Sequence, residues 1–158
     1  MMPLLDFQPV TSKRLEVFKE IVNSNKEYNL LSEGYAVLSD AGILEMYASS
    51  KRLGAVTRFV VYDDYPVGVI DYLMENPSDN MPWLGLLMIH AQHQRKGYAI
   101  EALKKYECLM RNEGLKKVRL GVIKGNNREL NFWINRGFIF YHEKIGDKFM
   151  VMCFEKEL

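Results

Sequence analysis

Positions 94 to 99 of the chain read Gln94-Arg95-Lys96-Gly97-Tyr98-Ala99. Gly97 has no side chain to hold phosphate oxygens away, Ala99 is nearly as small, and Arg95 with Lys96 adds positive charge. A helix leaves its first backbone N–H groups unpaired and carries a partial positive charge at that end. A turn of this composition feeding such a helix suits a pyrophosphate. Taken alone, the string reads as well as a solvated basic turn that happens to precede a helix. Competing nucleotide signatures are missing: no G-x-G-x-x-G follows a strand, and G-x-x-x-x-G-K-[ST] does not occur. That disfavours a dinucleotide-binding dehydrogenase and a P-loop kinase.

The elements that must position this turn are read from hydrophobic spacing. Residues 4–7 suggest a first strand, and Ser12 is placed to cap a helix whose apolar residues Leu15, Phe18, Ile21 and Val22 recur at helical intervals. Residues 24–34, with Asn25, Tyr28, Asn29 and Gly34, read as a loop; Ser39 or Asp40 then caps a second helix through Ile43, Leu44 and Tyr47. Residues 56–62 and 67–74 form a hairpin about the turn Asp63-Asp64-Tyr65-Pro66, and 83–89 a third strand. Ala99, Ala102, Leu103, Tyr106, Leu109 and Met110 share one helical face, with Glu101, Lys104, Lys105, Glu107 and Arg111 on the other, and Gly114 ends that helix. Val118, Leu120 and Val122 alternate as in a strand. Asn126 or Asn127 caps a short helix stopped by Gly137, and strands at 138–144 and 149–154 close the chain about Gly146-Asp147. The order predicts one domain over 1–158, α/β in the broad (α+β) sense, with a mixed sheet covered by helices.

Composition narrows the function. At 158 residues, 48% hydrophobic and 26% charged, the chain has the balance of a single globular core. No apolar run reaches the roughly 18 residues needed to span a bilayer, and the first residues lack the pattern of a signal peptide, so a cytoplasmic protein without a membrane partner is expected. Cys108 and Cys153 have no metal-ligand spacing; both read as reduced, buried small hydrophobes, and no metal site is expected. A formal net charge of +1 supplies no global attraction to nucleic acid. A small molecule or peptide is the expected partner. The run Phe149-Met150-Val151-Met152-Cys153-Phe154 is apolar enough to be buried on both faces, within the fold or in part by a second copy in a homodimer.

The stretch from Ile89 to Ala99 resembles motif A of the GNAT (Gcn5-related N-acetyltransferase) superfamily, whose pattern is [RQ]-x-x-G-x-[GA]. Downstream, Val122, Asn126, Phe132, Trp133 and Gly137-Phe138 resemble that family's second signature, a strand, an asparagine and an aromatic-rich helix closing on a G-F pair. The resemblance implies the GNAT fold, a mixed and mostly antiparallel central sheet of six to seven strands flanked by about four helices. It implies acetyl-CoA as co-substrate, with pantetheine lying where a β-bulge splits the strand before motif A from its neighbour. Carried over, Leu87, Met88 and Ile89 offer backbone to pantetheine, Gln94, Arg95, Lys96, Gly97, Tyr98 and Ala99 bind pyrophosphate, and Asn126 with Trp133 flanks the thioester. Leu87 and Ile89 are at the same time ordinary core residues.

The implied chemistry is direct attack of an amine on the thioester. A lysine-like amine has a pKa of ~10.4, so deprotonating it near neutrality costs about 4 to 5 kcal/mol and a proton route is needed. The family commonly uses a glutamate on the strand before motif A; Trp83-Leu84-Gly85-Leu86-Leu87-Met88-Ile89 has no carboxylate. Many members have a proton-donating tyrosine where this chain has Trp133. An indole N–H donates a hydrogen bond but yields no proton at usable pH. With a thiol pKa of only ~8.5, that change should slow the reaction without abolishing it. Asp71, in the apolar strand beside Val67 and Val69, is a candidate base if burial raises its pKa, or else ties down a neighbouring element. His90 relays protons at the cleft mouth or faces the other side of the sheet. Glu33, Tyr28 and Tyr35 fall in the early region that often shapes the acceptor pocket, with surface roles the simpler reading, and Tyr141 and His142 read as core or rim.

The leading reading is an N-acetyltransferase acting on a small-molecule amine, a peptide N-terminus or a lysine. A coenzyme A-binding sensor with little or no catalysis is the alternative, motivated by the missing glutamate and tyrosine. RNA binding through Arg95, Lys96, Lys116, Lys117 and Arg119 is a weaker third, given the near-neutral charge.

Overall fold

The computed structural model of the protein describes residues 4–158. Strand β1 (Leu5–Pro9) leads through a tight turn at Ser12–Arg14 into helix α1 (Leu15–Asn23). The helix starts two residues later than a cap at Ser12 implies, because Arg14 N–H bonds Thr11 C=O at 2.9 Å and tightens that turn. Phe18, Ile21 and Val22 form its buried stripe.

Residues 24–34 are not the expected loop: they contain helix α2 (Lys26–Glu33). The polar residues that suggested a loop have partners outside the helix. Asn29 is fully buried and its Nδ2 donates to Val22 C=O at 2.9 Å and Ala36 C=O at 3.1 Å. Gly34 ends the helix at φ 84°, in the left-handed region that glycine tolerates, and its N–H returns to Leu30 C=O. Ser39 caps α3 (Asp40–Arg52), its Oγ accepting from Gly42 N–H at 3.1 Å.

Strands β2 (Val56–Tyr62) and β3 (Tyr65–Leu73) form the expected hairpin. Asp63 and Asp64 both have positive φ, 52° and 60°, the backbone that a two-residue turn needs to match the twist of its strands. Then follow β4 (Trp83–Ile89), α4 (Tyr98–Asn112), β5 (Lys117–Ile123), α5 (Asn127–Asn135), β6 (Ile139–Ile145) and β7 (Met150–Glu157). All seven strands form one sheet in the order β1-β2-β3-β4-β5-β7-β6, antiparallel except between β4 and β5. β7 is thus an interior strand; Cys153 and Phe154 of its apolar run are buried, while Met150, Val151 and Met152 are half-buried.

Each face of the sheet carries its own core. Leu103, Tyr106 and Met110 of α4 and Trp133 of α5 pack on Ile70, Val118, Leu120 and Phe154. On the opposite face Phe18, Ile21 and Val22 of α1 and Ile43 of α3 pack on Phe59, Val61, Val69 and Met88. Each such aliphatic or aromatic side chain contributes about 2 kcal/mol by leaving water.

The periodicity of α4 misplaces two residues. Glu107 is buried, where its carboxylate accepts from Lys156 Nζ at 2.8 and 3.1 Å and so ties α4 to β7. Cys108 is exposed rather than buried, since the turn that brings Glu107 inward carries Cys108 outward; Cys153 is buried as expected.

Candidate functional site

β4 and β5 are paired at one bridge, Trp83 with Arg119, supported by the bond from Arg119 N–H to Pro82 C=O at 3.0 Å. Beyond it they part. On its other side β4 follows β3 with a register break: Asp71 faces Leu86 and Tyr72 faces Leu84, so Gly85 is the extra residue of a β-bulge. The opening between β4 and β5 is part of a cleft of about 1030 Å³. Its walls are residues 84–89 of β4, 120–123 of β5, the first turns of α2 and α5, and the turn that leads into α4.

That turn has the backbone of an anion cradle. Arg95 lies at φ 65° and Gly97 at φ 86°, and α4 begins at Tyr98 with no side chain capping it. Left-handed residues interleaved in a turn aim successive N–H groups at one point, next to the positive end of a long helix. A Cβ on Gly97 would meet no atom within 4 Å, so glycine serves there for its conformation and for open approach. Arg95 and Gly97 line the cleft; Lys96 is exposed beside it.

The Gln94 side chain turns inward instead. Its Nε2 donates to Asn25 Oδ1 at 2.8 Å and to Ile89 C=O at 3.0 Å, while Oε1 accepts from Arg128 across the cleft mouth at 3.3 Å. Asn25 Nδ2 also donates to Ile89 C=O at 3.1 Å, and Ser24 Oγ accepts from Ala91 N–H at 3.0 Å. The link between α1 and α2 is therefore fastened to the end of β4 and to the cradle.

At the α5 wall, Asn126 Oδ1 accepts from Glu129 N–H at 3.4 Å and so caps the helix. Trp133, one turn on, is buried to 6% exposure and donates from Nε1 to Glu129 Oε2 at 3.2 Å. Both side chains line the cleft. Burial raises the Glu129 pKa above the ordinary carboxylate range, against the opposing influence of the Trp133 bond and Arg128. Tyr28 of α2 lines the same cleft; burial first, then the charges of Glu129 and Glu33, push its hydroxyl up to about 12.

Leu87, Met88, Ile89, Gln94, Arg95, Gly97, Tyr98, Ala99, Asn126 and Trp133 all come together around the cleft. Asp71 and His90 do not line it. Asp71 Oδ2 accepts from Thr57 Oγ1 at 2.7 Å, which fastens β3 to β2, and burial raises its pKa against that bond and one from Ser50. Its other oxygen lies 3.1 Å from where a Cβ on Gly85 would stand, directly behind the bulge. His90 faces α1: Nδ1 accepts from Gln92 N–H at 3.0 Å and Nε2 lies 3.7 Å from Glu20. The imidazole on the cleft side is His93, its pKa lowered by burial and by the charges of Lys96 and His90.

Sequence reasoning missed Glu129 and His93 as site residues, read Asn25 as part of a loop, and named Tyr28 only as one residue of a region that often shapes the acceptor pocket. Asn126-x-x-Glu129 has the spacing of a helix-capping pair, which accounts for the glutamate without any chemistry. Tyr28 and Asn25 were hidden in the expected loop. The one available signal was the helical interval between Glu129 and Trp133.

The divergent strands, the bulge and the uncapped helix after a left-handed turn together define a cleft suited to an extended, anionic ligand. The family model described as acetyltransferase (GNAT) family matches residues 17–138, and the chain belongs to that family. By that membership it is an acyltransferase. An acetyltransferase from Thermus thermophilus superposes with a TM-score of 0.81 at 19% identity, over 98% of this chain and 97% of that one. The PaiA N-acetyltransferase from Thermoplasma acidophilum, solved with coenzyme A, gives 0.71 at 19% identity over 98% and 99%. A GNAT acetyltransferase from Elizabethkingia anophelis, solved with acetyl-CoA bound, gives 0.65 at 14% identity over 98% of each chain. No curated protein sequence matches the chain.

Proposed function

We propose that the protein transfers the acetyl group of acetyl-CoA to a primary amine, on a small molecule, a peptide N-terminus or a lysine side chain, by direct attack in a ternary complex. The observation that carries this reading is the course of the cleft. It runs from the uncapped start of α4, along the edge of β4 that β5 leaves unpaired, to the wall formed by Asn126 and Trp133.

The cradle from Arg95 to Ala99 fits a pyrophosphate, with charge from Arg95 and Lys96 and donors from the main chain. Gln94 contributes through its backbone, since its side chain is already engaged. Residues 84–89 offer roughly 17 Å of strand edge, along which Leu87, Met88 and Ile89 can pair with an extended pantetheine arm. The coenzyme complexes of the Thermoplasma and Elizabethkingia proteins support the same assignment. The amine would enter from the side of α2, past Tyr28. A cytoplasmic location belongs to the same proposal, and free Cys108 and Cys153 suit a reducing compartment.

Calorimetry with acetyl-CoA, followed by thiol release over an amine panel, tests the reading. Micromolar to sub-millimolar cofactor affinity and release of free thiol with at least one amine are expected; no heat of binding at millimolar acetyl-CoA would rule it out. One observation favours a coenzyme A-binding sensor as the second reading: Trp133 supplies no acidic proton, and its N–H is committed to Glu129. Tight binding with no turnover of any amine would select the sensor.

A further inference from the structure

Two carboxylates line the cleft, Glu27 and Glu129. Glu27 is exposed on the first turn of α2, whereas Glu129 is half-buried in the α5 wall. The strand walls bring no titratable side chain to the opening, for residues 84–89 and 120–123 are Leu, Gly, Met, Ile and Val throughout. Glu129 faces Tyr28 of α2 and has Arg128 beside it on its own helix; His93, Arg95 and Tyr98 lie at the cradle end of the cleft. Although Glu129 sits at the third position after the Asn126 cap, its carboxyl does not return to the Asn126 N–H, which bonds Ile123 C=O instead. It turns to Trp133, and one oxygen takes the indole N–H. Among the described residues the other oxygen has no hydrogen-bond partner.

Acetyl transfer to an amine forms an N–C bond and breaks the C–S bond. The neutral amine nitrogen loses one proton and the coenzyme sulfur must gain one, so a single group that reaches both atoms balances the reaction. We propose that Glu129 is this proton carrier: its unpaired oxygen takes the proton from the attacking nitrogen and delivers it to the departing sulfur, while Trp133 Nε1–H holds the carboxyl in place. An amine arriving as ammonium loses its first proton to water. The inference rests on the acetyltransferase reading. Burial raises the Glu129 pKa, so its carboxyl holds a proton more readily than an exposed glutamate does. Trp133 is then a positioning residue and not the acid.

The test uses the whole chain with acetyl-CoA and an amine panel running from benzylamine through Nα-acetyl-lysine amide to a tetrapeptide with a free N-terminus. Glu129→Gln should keep acetyl-CoA affinity within about threefold, lose kcat by about a hundredfold or more, and lose the ascending limb of the pH–rate profile. Glu129→Asp should restore that limb at reduced rate, and Trp133→Phe, which removes the indole N–H but keeps a ring in the cleft wall, should move it. In wild-type protein the Trp133 indole proton resonance should titrate with Glu129, above the ordinary carboxylate range, and should not do so in Glu129→Gln. Wild-type turnover alongside an unimpaired Glu129→Gln variant overturns this inference alone. Loss of the ascending limb in Asp71→Asn with its retention in Glu129→Gln also overturns it and moves the role to the carboxyl behind Gly85. Failure of the wild type to bind acetyl-CoA removes the acetyltransferase reading itself, and this inference with it.

Discussion

Tyr106 has no exposed surface, and its hydroxyl lacks a hydrogen-bond partner among the described residues. Its ring packs edge-on against Tyr72 at 5.2 Å, an interaction that phenylalanine would keep. Tyr106→Phe should therefore raise the unfolding free energy by about 1 kcal/mol, read from urea midpoints at unchanged m-value. Asp71 bears on stability through its charge. Its folded pKa is raised, so its contribution is full below the ordinary carboxylate range and is lost as pH rises through the raised value. Asp71→Asn keeps an acceptor for Thr57 without ionising, so its Tm should gain on the wild type as pH rises above about 4, the ordinary carboxylate pKa. A difference independent of pH would contradict that origin. At this scale a glycine and an alanine, spaced to open a helix beside two basic residues, marked the turn as a candidate cradle, and the family resemblance set it apart from a solvated basic turn. Asp71 and His90 were not: a strand alternates sides, but the pattern alone cannot say which side faces the ligand.

Gly68 of β3 stands opposite Ile89, and a Cβ there would lie 2.5 Å from Met88 C=O and 2.8 Å from Ile89 Cδ1. The close approach keeps β3 tight against the strand whose far edge lines the cleft. Gly68→Ala should cost about 1 to 3 kcal/mol of stability and weaken acetyl-CoA binding, because Met88 and Ile89 must shift. Thermal shift with and without cofactor separates the two effects; full retention of both would show that β4 yields freely. The strands and most helices were legible from hydrophobic period, but α2 was not. Its one buried residue is Asn29, so it has no apolar stripe to read, and tertiary hydrogen bonds hold it in place. The parting of β4 from β5 was also silent in the residues themselves. Leucines and valines alternate alike whether a strand is paired on one edge or both, and only the family resemblance pointed to the opening.

The molecule as a whole is a sheet paired continuously from β1 to β4 and from β5 to β6, joined between them at the Trp83–Arg119 bridge. The ligand cleft exists because that middle pairing is left incomplete. Around it, Ser24, Asn25 and Gln94 fasten the α1–α2 link to the cradle, so the proposed amine wall and the cofactor turn share their hydrogen bonds. Occupying the cradle should then quieten α2 as well: its amide protons should exchange roughly tenfold more slowly with saturating acetyl-CoA, though no phosphate touches it. The kinetic counterpart is a compulsory order of addition, cofactor before amine. Free coenzyme A should compete with acetyl-CoA yet inhibit noncompetitively against the amine, since the second substrate's pocket is only half made until the first has arrived.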